Sequence, residues 1–583
     1  MAALPDSPAS SIQMRRRWWA LADVGLIFLL FFLYAGWSPP DVNEAHYLAK
    51  AKHFWNPDWC PHDHFLESAD AHAVFYWTVG WLTLYVSLPA VAWIGRITTW
   101  LLLAWGWRRL SFALVPRPLY AVLSAALWLC FLSRGHMAGE WVVGGIEAKC
   151  LAYVLVFFGL AELVSGRWSA TWLLFGAASA FHVIVGGWCV VAGGVAWLCA
   201  GKNRPPLMHM VPALVAGGLL ALPGLVTALL LNHGVGEETV REATEIYVFQ
   251  RLDHHLVLQK IRVGYVARFI GMSVVCVVLY RWLPKAARLR RLGGFVWGAL
   301  LIAIAGAVIE LVLLGNRPVT ATLMRFYWYR LADVAVPVGL ALSVIVAVIT
   351  VERRLLKTIS QGRQVTFYWQ PLSGVHVPVG LAVSAAATVA RLLEEIRRTV
   401  PPWMLAAAML LAGVSLGESY VSNFLYRTGD SKHVNWHKKH ADWRAICDWI
   451  DGHLPADERF LTPRLQETFK WYAGRSEVFS RKDIPQDARG IVEWDQRYHD
   501  IFRTKSEVPG SRWRRSLATI DIETLRELAD KYDFRYVVVD RTVIDPKGYH
   551  PHVIPVAEND SFTVFRLRDA TGTNDRRAPA DLP

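Results

Sequence analysis

The chain has 583 residues, 54% of them hydrophobic and only 19% charged, with 28 Trp and a formal net charge of +13. That length and apolar content favour a membrane class over a soluble enzyme. Residues 421–583 hold 27 Lys and Arg against 26 Asp and Glu, so nearly all the positive excess lies earlier, clustered between apolar segments. Cations placed that way mark membrane topology and argue against nucleic acid as a partner.

The N-terminal tail, 1–17, ends in Arg15, Arg16 and Arg17 and leads into apolar residues 18–37. The stretch is long and no small-residue cleavage site follows it, which predicts an uncleaved signal anchor. Further apolar stretches of spanning length or slightly less run over 89–107, 118–133, 147–165, 168–182, 184–200, 207–230, 263–281, 293–314, 331–350 and 401–420. Together they predict about eleven transmembrane helices over 18–420, because only helices satisfy their own backbone within lipid. The short pair 168–182 and 184–200 suits a tight hairpin. Residues 73–88 interleave aromatics with aliphatics and suit an interfacial segment or a half-span.

Basic residues set the orientation. Arg108, Arg109, Arg117, Arg167, Lys202, Arg204, the cations of 281–291 and those of 353–363 fall on one side, taken as cytoplasmic with the N-terminus. The large loop 39–88 and the loops 134–146, 231–262 and 315–330 then face the exterior, as does the C-terminal domain. The expected location is a multi-pass position in the cell (inner) membrane. Residues 352–400 contain a weak apolar run, 375–390, that suits a surface or re-entrant helix.

The exterior domain, 421–568, reads as α/β: a helix over 443–454, a short strand at Arg459, Phe460 and Leu461, a second helix from Ile522 and a Val-rich strand at 535–541. It carries no catalytic pairing of its own, and residues 569–583 look like a frayed, disordered tail. The seven Cys fit no zinc spacing and no disulfide framework.

Candidate chemistry lies in the exterior loops. Asp41 and Glu44 are three apart, so on a helical turn both carboxylates share a face. They could hold a divalent cation or supply a base, or Asp41 could simply cap a helix. His46, His62, Asp63, His64 and Glu147 are further metal or acceptor candidates, although the HDH run is short and unspecific and a solvated polar loop explains it better. Lys149, His254, His255, Arg325 and Arg330 stand near membrane ends on the side usually poor in cations, where they suit a phosphate. His182 lies in an apolar segment, and Asp23, Arg268, Glu310 and Asp333 would line the route if the chain were a transporter or flippase. A non-catalytic scaffold is the third class, although its anchor would need far fewer spans.

The arrangement of spans, the large first exterior loop and the run Asn43-Glu44-Ala45-His46-Tyr47 resemble the GT-C class of membrane glycosyltransferases. That resemblance implies a polyprenyl-phosphate-linked sugar as donor, membrane lipids as surroundings and an exterior transfer to an acceptor. Many members place adjacent acids in this loop, whereas Asn43 precedes Glu44 here. The resemblance therefore makes Glu44 the expected catalytic carboxylate, with Asp41 assisting in orientation or metal binding. It leaves the sugar, the acceptor and the oligomeric state open.

Overall fold

A computed structural model describes residues 8–41, 43–360, 431–504, 512–544, 553–568 and 580–581. The first half is a helical bundle. Its elements in chain order are α1 (Pro8–Ala35), α2 (Glu44–Trp55), α3 (Ala73–Thr78), α4 (Leu88–Leu114) and α5 (Tyr120–Gly135). Next come α6 (Ala148–Ser165), α7 (Trp168–Phe181), α8 (Val183–Cys199), α9 (Leu207–Leu230) and α10 (Glu237–Ile246). The series ends with α11 (Asp253–Leu256), α12 (Val263–Trp282), α13 (Ala287–Val312), α14 (Arg317–Met324) and α15 (Arg330–Ser360).

Among the described residues seven helices are long and apolar enough to cross a membrane: α1 from Arg17, then α4, α6, α9, α12, α13 and α15 up to Arg354. Helices α5, α7 and α8 coincide with expected spans but have 16, 14 and 17 residues. At about 1.5 Å per residue, α7 reaches roughly 21 Å, short of a hydrocarbon core of about 30 Å. It forms instead one arm of a hairpin with α8, turning at His182, whose extended backbone joins them. Gly193 faces Trp172 and Phe175 across the hairpin. The α7–α9 contact depends on Gly217, where a Cβ would come within 2.6 Å of the Trp172 carbonyl oxygen, so only glycine lets these backbones meet. The expected span 401–420 and the run 375–390 lie outside the described residues.

One end of the bundle is cationic for a local reason. Arg288, Arg290 and Arg291 donate to the carbonyls of Ala113, Ala200 and Val164, at the C-termini of α4, α8 and α6. Guanidinium groups satisfy the orphan carbonyls there and suit the negative end of each helix dipole. The buried acids weighed for a transport route act in the same manner on loops. Asp23 accepts from Leu119 N–H, Glu310 from Leu258 and Gln259 N–H, and Asp333 from Met137, Ala138 and Glu140 N–H. They cap loops between different pairs of helices rather than marking a file. Arg268 is exposed and donates to Gly264 O.

At the opposite end sits the C-terminal domain. It comprises α16 (Ser431–His453), β1 (Arg459–Leu461), α17 (Phe469–Ala473), β2 (Ser476–Glu477), α18 (Ala488–Phe502), α19 (Ile522–Tyr532), β3 (Tyr536–Asp540), β4 (Val553–Glu558), β5 (Phe562–Leu567) and β6 (Ala580–Asp581). The sheet order is β2-β1-β3-β5-β4-β6. Strand β1 runs parallel to β2 and β3, while β3–β5 and β5–β4 are antiparallel. The chain is thus an α-helical polytopic membrane protein carrying a small α/β domain. Within the tail expected over 569–583 only Ala580 and Asp581 are described, and they pair parallel with β4 as β6 on an open sheet edge.

The domain does not close its core alone. Ala243 and Ile246 of α10 pack with Leu461, Val478, Ile491 and Val537 in one apolar cluster. The large loop is fastened to it by a buried charge centre on Lys470, whose ammonium lies 2.7 Å from Glu477, 2.8 Å from Asp483 and 3.4 Å from Asp63. Asp63 also accepts from Phe65, Leu66 and Glu477 N–H, and His46 Nδ1 lies 2.9 Å from the other Asp483 oxygen. Burial pushes the Glu477 carboxyl up to about 7, while Lys470 and His46 overcome burial and hold Asp483 well below the usual carboxylate range. Burial holds His46 below its ordinary value, so at neutral pH the ring is neutral and donates Nδ1–H to Asp483. Breaking a buried ion centre by removing one partner costs about 3–5 kcal/mol. Lys470→Met should therefore lower the unfolding midpoint of the full chain markedly and expose loop 39–72 to protease. An unchanged midpoint would mean that this centre does not hold the domain in place.

Candidate functional site

Two prolines and a helix start bring the first candidate acids together. After α1 the chain passes Pro39 and Pro40, and α2 opens at Glu44, which is 1% exposed. Its Oε1 accepts from Arg96 Nε at 2.6 Å and from Ile146 N–H at 2.8 Å. Its Oε2 accepts from Asp41 N–H at 2.8 Å and pairs with Arg96 Nη2. Arg96 is itself fully buried within α4 and donates also to Trp37 O. Both Glu44 oxygens are thus taken up in a bidentate clamp that joins segment 37–44, α4 and the loop 144–146. Asp41, half-buried, accepts from Gly145 N–H at 3.1 Å.

A second chain of charges runs behind α2. Asn43 donates to Glu147 at 2.7 Å, Glu147 pairs with Lys149 at 2.9 Å, and Lys149 approaches Glu140 at 3.7 Å. Glu140 accepts from Tyr153 and pairs with Arg330 Nε at 2.9 Å. Arg330 reaches His182 Nε2 through Nη1 at 3.1 Å and lies 3.9 Å over the Tyr327 ring. Tyr327 has a φ of 51°, in the left-handed region that bulky residues rarely adopt, and its hydroxyl is 2.7 Å from that of Tyr247.

Of these groups His182, Tyr247, Tyr327 and Arg330 stand at the polar end of a cavity of about 620 Å³. Tyr47, His72, His182, Tyr247, Arg325 and Arg330 line that end, and Gln486, Ala488 and Ile491 of the C-terminal domain roof it. Burial lowers the His72 pKa to about 4, so the imidazole stays neutral beside the Tyr47 hydroxyl at 3.3 Å. The other wall is apolar: Phe181, Ile184, Trp188, Val191, Leu225 and Leu229. Val191 is 47% and Leu229 71% exposed on the outer faces of α8 and α9, so the cavity opens sideways where lipid would lie. Arg325 has no carboxylate partner among the described residues, and its charge remains available to an anion.

The expected anion set divides. Arg325 and Arg330 line the cavity together; Lys149 stands behind Arg330, engaged by Glu147 and Glu140. His254 and His255 do not line it: His255 Nδ1 lies 2.6 Å from Ala138 O, and the exposed His254 stacks on it at 4.0 Å. The metal candidates also separate. His62 is exposed, Asp63 serves Lys470, His64 Nε2 meets Gly490 O, and His46 faces Asp483. Among the described residues no three His, Cys, Asp or Glu side chains converge as metal ligands. Glu44 is a poor donor for a cation as well, since the Arg96 charge already faces both its oxygens. Sequence reasoning missed Arg96, Tyr247 and Tyr327. A lone Arg inside an apolar span was the available signal for Arg96, since such a charge requires a buried partner.

Comparisons with known proteins place this geometry among others. A family model described as a domain of unknown function, DUF6798, matches residues 441–501. That segment carries Lys470, Ser476, Glu477, Asp483 and Gly490, the domain residues that hold the large loop. No curated protein sequence matches the chain. Among solved structures, the chain is similar to ArnT from Cupriavidus metallidurans bound to undecaprenyl phosphate, with 13% identity, a TM-score of 0.47 and coverage of 98% of this chain and 100% of that one. It is also similar to the oligosaccharyltransferase of Archaeoglobus fulgidus tethered with an acceptor peptide, with 12% identity, a TM-score of 0.39 and coverage of 90% and 69%. A third structure, the oligosaccharyltransferase AglB from the same organism with an inhibitory peptide and a dolichol-phosphate, gives 13% identity and a TM-score of 0.35, again covering 90% and 69%.

The clamp can be weighed by a mutant cycle. Glu44→Gln leaves Arg96 buried without its counter-charge and should cost about 3–5 kcal/mol of stability. Arg96→Met should cost about as much, whereas the double variant should recover a large share of the loss. Strictly additive losses in thermal unfolding would remove the structural role assigned to the pair.

Proposed function

We propose that the chain transfers a sugar from a polyprenyl-phosphate-linked donor to an acceptor hydroxyl at the face that bears the C-terminal domain. One observation carries this reading: a single cavity combines a cationic, hydroxyl-rich end with an apolar wall that opens between α8 and α9. An amphiphile with a phosphate at the junction fits both halves, the phosphate against Arg325 and Arg330 and the chain along Val191, Leu225 and Leu229. The resemblance of residues 43–47 and of the span arrangement to GT-C transferases points the same way.

Asp41 takes the part of catalytic base in this proposal, and Glu44 becomes the residue that positions it. The exchange of roles follows from the clamp, because both Glu44 oxygens are already engaged by Arg96 and by backbone N–H groups. Asp41 receives a backbone bond from Gly145 and gives its own N–H to Glu44, which fixes its orientation near the start of α2. In the reaction the acceptor oxygen bonds to the anomeric carbon as its proton passes to Asp41. The bond from that carbon to the phosphate oxygen breaks, and the polyprenyl phosphate leaves with the bonding pair. Arg325 and Arg330 stabilise the negative charge that gathers on it.

Three outcomes test the proposal. Asp41→Asn should lower transfer by about 10²–10⁴-fold, the usual loss for a general base, while leaving the unfolding midpoint near that of the parent. Full activity in that variant would remove Asp41 from the chemistry. Arg330→Lys keeps the charge but loses the planar fork, so it should weaken binding of undecaprenyl phosphate in a direct titration; unchanged binding would place the phosphate elsewhere. The charge asymmetry of the bundle supports an exterior C-terminal domain. A cysteine at Leu465, 64% exposed, should then react with a membrane-impermeant maleimide on intact cells. Labelling that requires broken cells would reverse the orientation.

A further inference from the structure

The polar end of the cavity is not the only cationic place beside the roof. Residues Tyr247–Arg251 form a π-helical turn, a local geometry often found at functional sites. Its first residue, Tyr247, lines the cavity, and its last, Arg251, reaches the C-terminal domain. There Arg251 donates to the carbonyls of Arg481 and Lys482 at 3.2 and 3.4 Å, which brings the backbone of two further cationic residues against it. Among the described residues none of these three side chains has a carboxylate within ion-pair distance. The contrast with the rest of the domain is instructive. Lys470 has three acids, Arg475 has Asp451, Arg497 has Glu493, and Lys439 has Asp540.

Like charges without an ion-pair partner at a half-buried seam are costly unless something else neutralises them. Burial, then the charge of Arg481, pushes the Arg251 guanidinium below its ordinary value against the opposing charge of Glu467. Burial pushes the Lys482 ammonium down too; Glu467 opposes the shift and Arg251 adds to it. Both groups would gain from an anion placed between them. Arg481 is exposed, so an anion reaches the seam from water, whereas the cavity wall at Val191 and Leu229 faces lipid. None of the three lines the cavity itself. The chain therefore holds two cationic places with different access, joined through one short turn.

We propose that the acceptor is an anionic saccharide and that Arg251, Arg481 and Lys482 hold its charged group while its hydroxyl is presented to the cavity. The inference rests on the transferase reading above for the word acceptor; the anion site stands on the seam. A water-reached phosphate or carboxylate bound there would leave the Tyr247 side of the turn for the lipid-linked donor. It also gives the matched segment 441–501 a substrate-holding part in addition to its part in fastening the loop.

The test uses the full chain in lipid nanodiscs, with glucose 6-phosphate as a soluble anionic saccharide, glucose as its neutral counterpart and undecaprenyl phosphate as the lipid anion. Titration calorimetry should detect glucose 6-phosphate binding and no comparable glucose binding. The Arg251→Gln/Lys482→Gln double variant should weaken glucose 6-phosphate binding by about ten-fold or more, as loss of charged hydrogen bonds requires, and leave undecaprenyl phosphate binding unchanged. Arg481→Glu, at an exposed position that buries nothing new, should weaken it in the same direction and covers a failure of the double variant to fold. Equal affinity for glucose and glucose 6-phosphate, or undiminished glucose 6-phosphate binding in folded variants, overturns the inference. Undecaprenyl phosphate binding that ignores Arg330→Lys overturns the donor cavity separately, without touching the glucose 6-phosphate arm.

Discussion

A single buried ammonium decides where the C-terminal domain sits. Lys470 holds Asp63 of the large loop and Glu477 and Asp483 of its own domain around one point, with His46 closing the far side of Asp483. Such a centre is weak as a source of stability, since desolvation offsets most of the attraction, but it tolerates very few alternative arrangements. Shifting the loop or the domain by a residue would leave carboxylates buried without a cation. The roof of the cavity, Gln486 to Ile491, follows directly from this docking, because it begins three residues after Asp483.

Beneath the roof the cavity divides along a chemical line. Hydroxyls, imidazoles and guanidinium groups occupy the end nearest the loops, and aliphatic and aromatic side chains occupy the end between α8 and α9. The division has a backbone cause. The α7–α8 hairpin turns at His182, which brings a polar group to the cavity beside the apolar side chains of α8 and α9. Arg330, at the first position of α15, meets it there and is neutralised from behind by Glu140, which leaves one face of the guanidinium toward Tyr327.

Much of the bundle was legible because hydropathy acts locally. Ten of the eleven expected spans correspond to helices, and the short hairpin could be read from two apolar runs separated by His182. The strand at 459–461 and the Val-rich strand at 536–540 were equally plain. Helix α18 was readable but overlooked: Asp487 caps it through Gly490 N–H, and Ala488, Ile491 and Trp494 recur on its buried face. What the sequence could not reveal were the long-range pairings. Glu44 and Arg96 lie 52 residues apart, and Asp63 and Lys470 meet across the two halves of the chain. Spacing rules put Asp41 and Glu44 on one turn, yet which of the two is clamped depends on an Arg contributed by another helix. The same holds for His255, which bonds the Ala138 carbonyl in the loop capped by Asp333 and does not line the cavity.

The shared core between α10 and the C-terminal domain bears on how the protein is made. Ala243 and Ile246 leave the ribosome long before their partners at Val478, Ile491 and Val537 exist. At about 5–20 residues per second that interval is roughly ten seconds to a minute. During it the apolar face of α10 stands uncovered beside the membrane. The domain must then complete itself on a surface that is already in place, so its folding is templated by the bundle rather than independent of it. An order of assembly is thereby written into the chain: bundle first, then the domain, and the roofed cavity only after the domain has been made.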